Sequence, residues 1–285
     1  MNIHIFIVPY DSGKRAERMG AGPHHLIDNG LVQYLREHGH SVRTTTIEAL
    51  DPFRVEIKTS YELYRQLSSS IQENCTKGEF PLILAGNCSA ALGGIAGLSG
   101  LNSNPLGIAW LDAHGDFNTP DTTLSGFLDG MGLAAAAGLC WKNLVKAIPA
   151  YRSVNPAHIV HIGGRDFDPE EEQLLIDQGV TLIRAGEVRD NGVQMSLQPV
   201  LDKLGSQIHD LYLHLDVDVL DPEETPANHF PAPGGLFAKQ AVDVITLIRD
   251  HFQIHGMTVA SYDPAYDRDG NTLRAIFELV HQALS

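Results

Sequence analysis

No stretch of this chain approaches the roughly 20 consecutive apolar residues that a membrane-spanning helix needs, so a helical membrane protein is not expected. The apolar start, MNIHIFIVPY, carries neither a basic leader nor a small-residue cleavage site and reads as a first strand. Cysteine is scarce. Cys75, Cys88 and Cys140 are scattered and form no CxxC pair, which excludes a disulfide framework and makes a reducing cytoplasm the expected compartment. Positive charge is scarce as well: 20 Lys plus Arg stand against 35 Asp plus Glu, a formal net charge of -15. Nucleic acid and anionic membranes are therefore not expected as partners. Internal repeats, low-complexity tracts and linkers are also missing, and residues 1–285 are expected to form a single domain.

What the chain does have is acidic residues at the ends of apolar strands. Leu111 to Asn118 reads LDAHGDFN and follows the apolar run Leu106 to Leu111. Residues two apart in an extended segment face the same side, so Asp112, His114 and Asp116 can converge beyond the strand end. An acidic solvated loop would use the same letters. A second stretch, DLYLHLDVDVLDP from Asp210 to Pro222, ends another apolar run in Asp216 and Asp218. Carboxylates at the end of a buried strand are costly unless something neutralises them. Four Asp and one His carry more negative charge than one cation needs, which favours two hard or borderline cations bridged by carboxylates.

Hydrophobic periodicity predicts strands near residues 2–8, 41–46, 81–85, 106–111, 158–162, 180–183, 211–215 and 257–262. Helical patterns fall near residues 23–38, 60–73, 90–98, 131–139, 170–177, 193–204, 238–250 and 272–284, and residues 48–60 read as loop. Roughly eight strands alternating with helices predict an α/β fold with a mostly parallel sheet covered on both faces. Ligands are then expected beyond the carboxyl ends of the strands.

The motifs AGNCSA, LDAHGDFNTP, GGRDFDPEE and HLDVDVLDP occur in this order, with MGAGP before them and TPANHFPAPGGL after the last. Together they resemble the ureohydrolase superfamily of arginases, agmatinases and formiminoglutamases over nearly the whole chain. The resemblance implies a three-layer α/β/α sandwich, a centre of two Mn2+ ions, and hydrolysis of a C–N bond in a guanidine or related amidine. It assigns metal ligation to Asp112, His114, Asp116, Asp216 and Asp218, with a sixth position at Cys88. Asp112 and Asp216 would bridge, Cys88 and Asp116 would serve one ion, and His114 and Asp218 the other. Family members carry GGDH where this chain has AGNC, so Cys88 is either a thiolate ligand or an inert buried side chain beside a depleted centre. A thiolate is softer than manganese prefers, which leaves room for another divalent metal.

Within the superfamily the resemblance is to arginases. NTPDTTLSG resembles the loop that holds an amino acid's α-carboxylate, implying that role for Asn118, Thr123 and Ser125. RDFDPEE resembles the segment that holds the α-ammonium, through Asp168 and, by way of water, Glu171; the same letters read as a helix N-cap. Two departures concern the chemistry. Arginases carry a proton-shuttling His where this chain has Asp129, which is thereby a candidate catalytic residue, and a guanidinium-gripping Glu where it has Ser261. His229, in a loop where arginases carry glycine, is the candidate replacement shuttle, against the simpler reading of a solvated side chain. Asp116 is expected to orient the attacking water.

Without the Glu, an always-charged guanidinium would be poorly held, whereas the less basic N-hydroxyguanidine group needs only hydrogen bonds. The expected substrate is N-hydroxy-L-arginine, yielding ornithine and hydroxyurea. An ordinary arginase, a hydrolase of another amidine such as formiminoglutamate, and a catalytically silent metal-binding subunit are the alternatives. The expected partner is thus a small guanidino amino acid, within a homo-oligomer.

Overall fold

In the computed structural model, which describes residues 1–51, 55–75, 78–102 and 104–285, the eight expected strands form one sheet. The strands in chain order are β1 (Asn2–Val8), β2 (Tyr10–Asp11), β3 (Lys14–Arg15), β4 (Ser41–Thr46) and β5 (Phe80–Ala85). They continue with β6 (Leu106–Leu111), β7 (Ile159–Gly164), β8 (Thr181–Arg184), β9 (Asp210–Asp216) and β10 (Gln253–Ala260). β2 and β3 make a small antiparallel hairpin that periodicity did not reveal. The main sheet runs β4-β1-β5-β10-β9-β6-β7-β8, and every neighbouring pair is parallel.

A parallel sheet must be covered on both faces, and β5, β6, β7 and β9 are buried along their whole length. One face packs Ile5, Leu84, Leu111 and Leu213 into a core shared with helices Leu31–Glu37, Val193–Gly205, Ala238–His251 and Asn271–Leu284. The other packs Phe6, Ile83, Trp110 and Tyr212 into a core with helices Glu56–Asn74, Ala91–Leu101 and Gly132–Ala136. The result is the three-layer α/β/α sandwich. Helix Ala91–Leu101 is glycine-rich because it lies tightly on its neighbour: a Cβ at Gly93 would stand 2.8 Å from the Tyr64 carbonyl oxygen.

Several boundaries differ from expectation for identifiable reasons. The helix expected over residues 23–38 is two helices, Gly22–Asp28 and Leu31–Glu37, because Gly30 takes φ 98° and breaks the hydrogen-bond ladder. The helix expected from residue 60 already starts at Glu56, so the loop is shorter; its residues 52–54 lie outside the described residues. The alanine-rich helix shrinks to Gly132–Ala136, since Gly138 turns left-handed. Helix Ala185–Asn191 was not expected from the pattern. Strand β10 ends at Ala260 rather than 262, because Ser261 takes φ 66°, a left-handed conformation that turns the chain out of the sheet. Among the described residues, no helix is long and apolar enough to cross a membrane.

Candidate metal centre and substrate cleft

Five adjacent strands, β5, β10, β9, β6 and β7, deliver the polar side chains to one edge of the sheet. Cys88 follows β5, Ser261 follows β10, Asp216 closes β9 with Asp218 just beyond, and Asp112, His114 and Asp116 follow β6. The segment after β7 brings Asp168 and Glu171. Above them opens a cleft of about 280 Å³, to which Cys88, His114, Asp116, Asp216, Asp218 and Ser261 contribute at the floor. Asn118, Thr123, Ser125, Asp168 and Glu171 line it too, so the residues expected at the two ends of a substrate share one cavity.

Local backbone geometry aims the acidic groups. Asp112 accepts at Oδ1 from the His114 amide at 2.7 Å and at Oδ2 from Trp110 Nε1 at 3.0 Å. Asp216 repeats the pattern, accepting at Oδ1 from the Asp218 amide at 2.7 Å, while its Oδ2 accepts from Cys88 Sγ at 2.8 Å. His114 Nδ1 lies 3.3 Å from Asp218 Oδ2 and 3.5 Å from Asp112 Oδ1. Asp116 takes φ 50°, and its carbonyl is held by the Leu133 and Ala134 amides at 2.9 and 3.2 Å. That left-handed turn is costly for a side-chain-bearing residue and persists because the helix start pins it.

These groups form two sets that share Asp112. Ligand atoms of Cys88, Asp112, Asp116 and His214 lie within 4.8 Å of one another, as do those of Asp112, His114 and Asp218. Asp116 Oδ2 is buried without a hydrogen-bond partner among the described residues. The electrostatics point the same way. Burial, then Asp218, raises the Asp112 carboxyl to about 6. Burial and neighbouring carboxylates push Asp116, Asp216 and the Cys88 thiol well above their ordinary ranges. Asp218 goes the other way, to about 2: burial opposes its charge, but His114 outweighs burial. His114 is raised in turn, since the Asp218 and Asp112 carboxylates outweigh its burial. Crowded acids, an orphaned carboxylate oxygen and two imidazoles fit a cation-binding donor set.

Two expected catalytic residues are engaged elsewhere in the structure. Asp129 lines the cleft, but its carboxylate is already engaged: it accepts from Asn87 Nδ2 at 2.8 Å, the Cys88 and Ser89 amides at 3.1 and 2.8 Å, and Ser89 Oγ at 2.5 Å. It ties down the turn that carries Cys88. His229 is not among the residues lining the cleft; its ring lies against Phe230, with centroids 3.9 Å apart, and 6.4 Å from that of Tyr266. Its neighbours Asn228 and Phe230 line the cleft instead.

The residues expected to face a substrate are also bound to one another. Asn118 Nδ2 donates to Asp168 Oδ2 at 3.0 Å, and Thr122 Oγ1 donates to Asn118 Oδ1 at 3.0 Å. Thr123 Oγ1 accepts from the Gly126 amide at 3.0 Å, and Ser125 Oγ from the Phe127 amide at 3.1 Å. Glu171 accepts from the Phe117, Asn118 and Asp168 amides at 2.9, 3.1 and 3.3 Å, completing a capping box on helix Pro169–Gln178. Burial lifts its carboxyl to about 7.

Four site residues escaped the sequence reading. Phe127 and Phe230 wall the cleft with centroids 5.9 Å apart, and Asn228 donates to the Ser261 carbonyl at 2.9 Å. His214 stands two before Asp216, and the alternation that singled out Asp216 and Asp218 would have found it.

A fully parallel sandwich with an acidic, histidine-bearing cluster at its strand ends defines the ureohydrolase class. The chain belongs to the arginase family, whose profile matches residues 1–285. It is 28% identical to an arginase of Bacillus subtilis (strain 168), covering 99% of this chain and 97% of that one. It is 31% identical to an arginase of Staphylococcus aureus (strain MSSA476), covering 98% and 95%. Among solved structures, an arginase of Bacillus cereus superposes with a TM-score of 0.90 at 27% identity, over 100% of this chain and 99% of that one. This is therefore an arginase-family hydrolase.

Proposed function

We propose that the protein is a binuclear-metal amidinohydrolase whose favoured substrate is N-hydroxy-L-arginine, cleaved to ornithine and hydroxyurea. Cys88, Asp112, His114, Asp116, Asp216 and Asp218 would hold two divalent cations, manganese or a softer ion in keeping with the thiol. When bound, those cations would supply the positive charge that makes water a competent nucleophile near neutral pH.

The protein's own groups account for binding and orientation. Thr123, Ser125 and Asn118 offer neutral donors to an α-carboxylate, and Asp168 offers negative charge to an α-ammonium. Phe127 and Phe230 would cover the aliphatic chain and exclude bulk water. Asp116 Oδ2, which has no partner among the described residues, is suited to orient the attacking water and to hold its proton.

The observation that carries the choice of substrate is Ser261. It is a buried neutral hydroxyl 3.2 Å from Cys88 Sγ, where the arginase pattern has a carboxylate. A charged guanidinium would lack its counter-ion there, and a charge-assisted contact is worth about 1.5–3 kcal/mol. The hydroxyl can instead hydrogen-bond a neutral N-hydroxyguanidine.

The test is a pair of kcat/KM values at fixed metal and pH. N-hydroxy-arginine should exceed arginine by at least about tenfold, and Ser261→Glu should narrow the gap by improving arginine. Equal values on the wild-type enzyme would leave an ordinary arginase. Absence of turnover with either, in metal-replete protein, would favour another amidine or a silent subunit.

A further inference from the structure

We propose that His214 is a metal ligand, supplying an imidazole to the ion shared by Cys88 and Asp116. The proposal rests on the two-cation reading above and deepens it.

His214 lies on β9 opposite Trp110 of β6, and its ring stacks on that indole with centroids 3.6 Å apart and planes 19° apart. It is wholly buried, and neither ring nitrogen has a hydrogen-bond partner among the described residues. A neutral imidazole carries one donor and one acceptor, and leaving both unmet in the interior is unfavourable enough to require an explanation. The buried His161, by comparison, has Nε2 2.6 Å from the His114 carbonyl oxygen.

The surroundings supply a partner for the acceptor nitrogen. A His214 ring nitrogen, Cys88 Sγ and one oxygen each of Asp112 and Asp116 all lie within 4.8 Å of one another. Asp116 Oδ2 is itself unpartnered among the described residues, so two unsatisfied lone-pair donors border the same small space. A hydrogen bond between them would satisfy both, yet the structure has none. A cation satisfies both at once.

Trp110 holds the ring in place by stacking while its own Nε1 orients Asp112. The ion on this side would then see thiolate, imidazole and carboxylates, a borderline donor set that suits zinc, cobalt or ferrous iron. The ion on the other side would see carboxylates and His114, harder in sum. The two positions should therefore differ in metal preference.

The experiment loads protein carrying 15N-histidine, in otherwise unlabelled chain, with Mn2+ or Co2+ and counts coupled imidazole nitrogens by pulsed EPR. Two histidines, His114 and His214, are expected in the wild type. His214→Phe keeps a ring against Trp110 and should lose one imidazole signal and weaken one ion by more than the roughly 10–100-fold that disturbance outside the ligand set produces. His114→Ala should retain one imidazole, that of His214, which guards against a variant that fails to fold. One imidazole in the wild type, or none in His114→Ala with metal still bound, overturns the assignment of His214 alone. Failure of the wild type to bind any divalent cation overturns the two-cation reading itself.

Discussion

Asp129 illustrates how a single residue can occupy a suggestive position and do a different job. Its carboxylate accepts from four donors of the turn that follows β5, which suits it to fixing the turn that carries Cys88. Asp129→Ala would leave buried amides unpaired, at about 1–3 kcal/mol for each group left unsatisfied. We expect a fall in unfolding free energy of at least about 3 kcal/mol in denaturant titration, with the pH optimum of any remaining activity unchanged. A shifted pH optimum with unaltered stability would restore the shuttle role. Ser261 is the contrasting case: its backbone is left-handed and its hydroxyl is buried beside Cys88, and on the proposed substrate reading its substitution should alter substrate choice.

At the scale of elements, Glu171 joins helix Pro169–Gln178 to the loop after β6. It caps the helix through the Asp168 amide and reaches across to the Phe117 and Asn118 amides, and there is no room for a side chain at Gly115, whose Cβ would stand 2.5 Å from its carboxyl carbon. The N-cap reading of DPEE and the expected contact with a substrate's ammonium end are therefore compatible. Glu171→Ala should destabilise the protein by about 2 kcal/mol by calorimetry and raise KM more than it lowers kcat, because Asn118 and Asp168 lose their support together. An unchanged KM would separate the cap from the substrate site. The sequence motif announced the cap, but the reach across to the next loop depends on the register of β6 beside β7, which no local pattern encodes.

For the whole molecule, the acidic cluster makes stability a matter of metal and pH together. In metal-free protein the Asp112 carboxyl sits near 6, above its ordinary 3.8, so folding favours its protonated form. Its contribution is full below pH 3.8 and is lost as pH rises through 6; Asp116 and Asp216, also raised, act in the same sense. Asp218, lowered to about 2, loses its contribution only as pH falls from 3.8 toward 2, outside that window. After chelation, Tm should therefore decline as pH rises from about 4 to about 6, and the gain on adding divalent cation should widen over the same range. A gain independent of pH would mean that the carboxylates are not what the cation relieves.

By itself the sequence determined the alternation of strands and helices, the strand ends that carry Asp112, His114, Asp116, Asp216 and Asp218, and the departures at Cys88 and Ser261. These are local facts: periodicity of two or of 3.6, and residue types beside a strand's carboxyl end. Tertiary structure decided which strand ends become neighbours, because the order β5-β10-β9-β6-β7 joins segments as far apart in the chain as Cys88 and Ser261. It also decided that Asp129 is engaged by the donors of the turn after β5, that Phe230 lines the cleft while His229 does not, and that His214 has no hydrogen-bond partner among the described residues. The physical reason is the same in each case. A side chain's composition states what it can bind, but what is left for it to bind depends on which neighbours the packed sheet has already supplied.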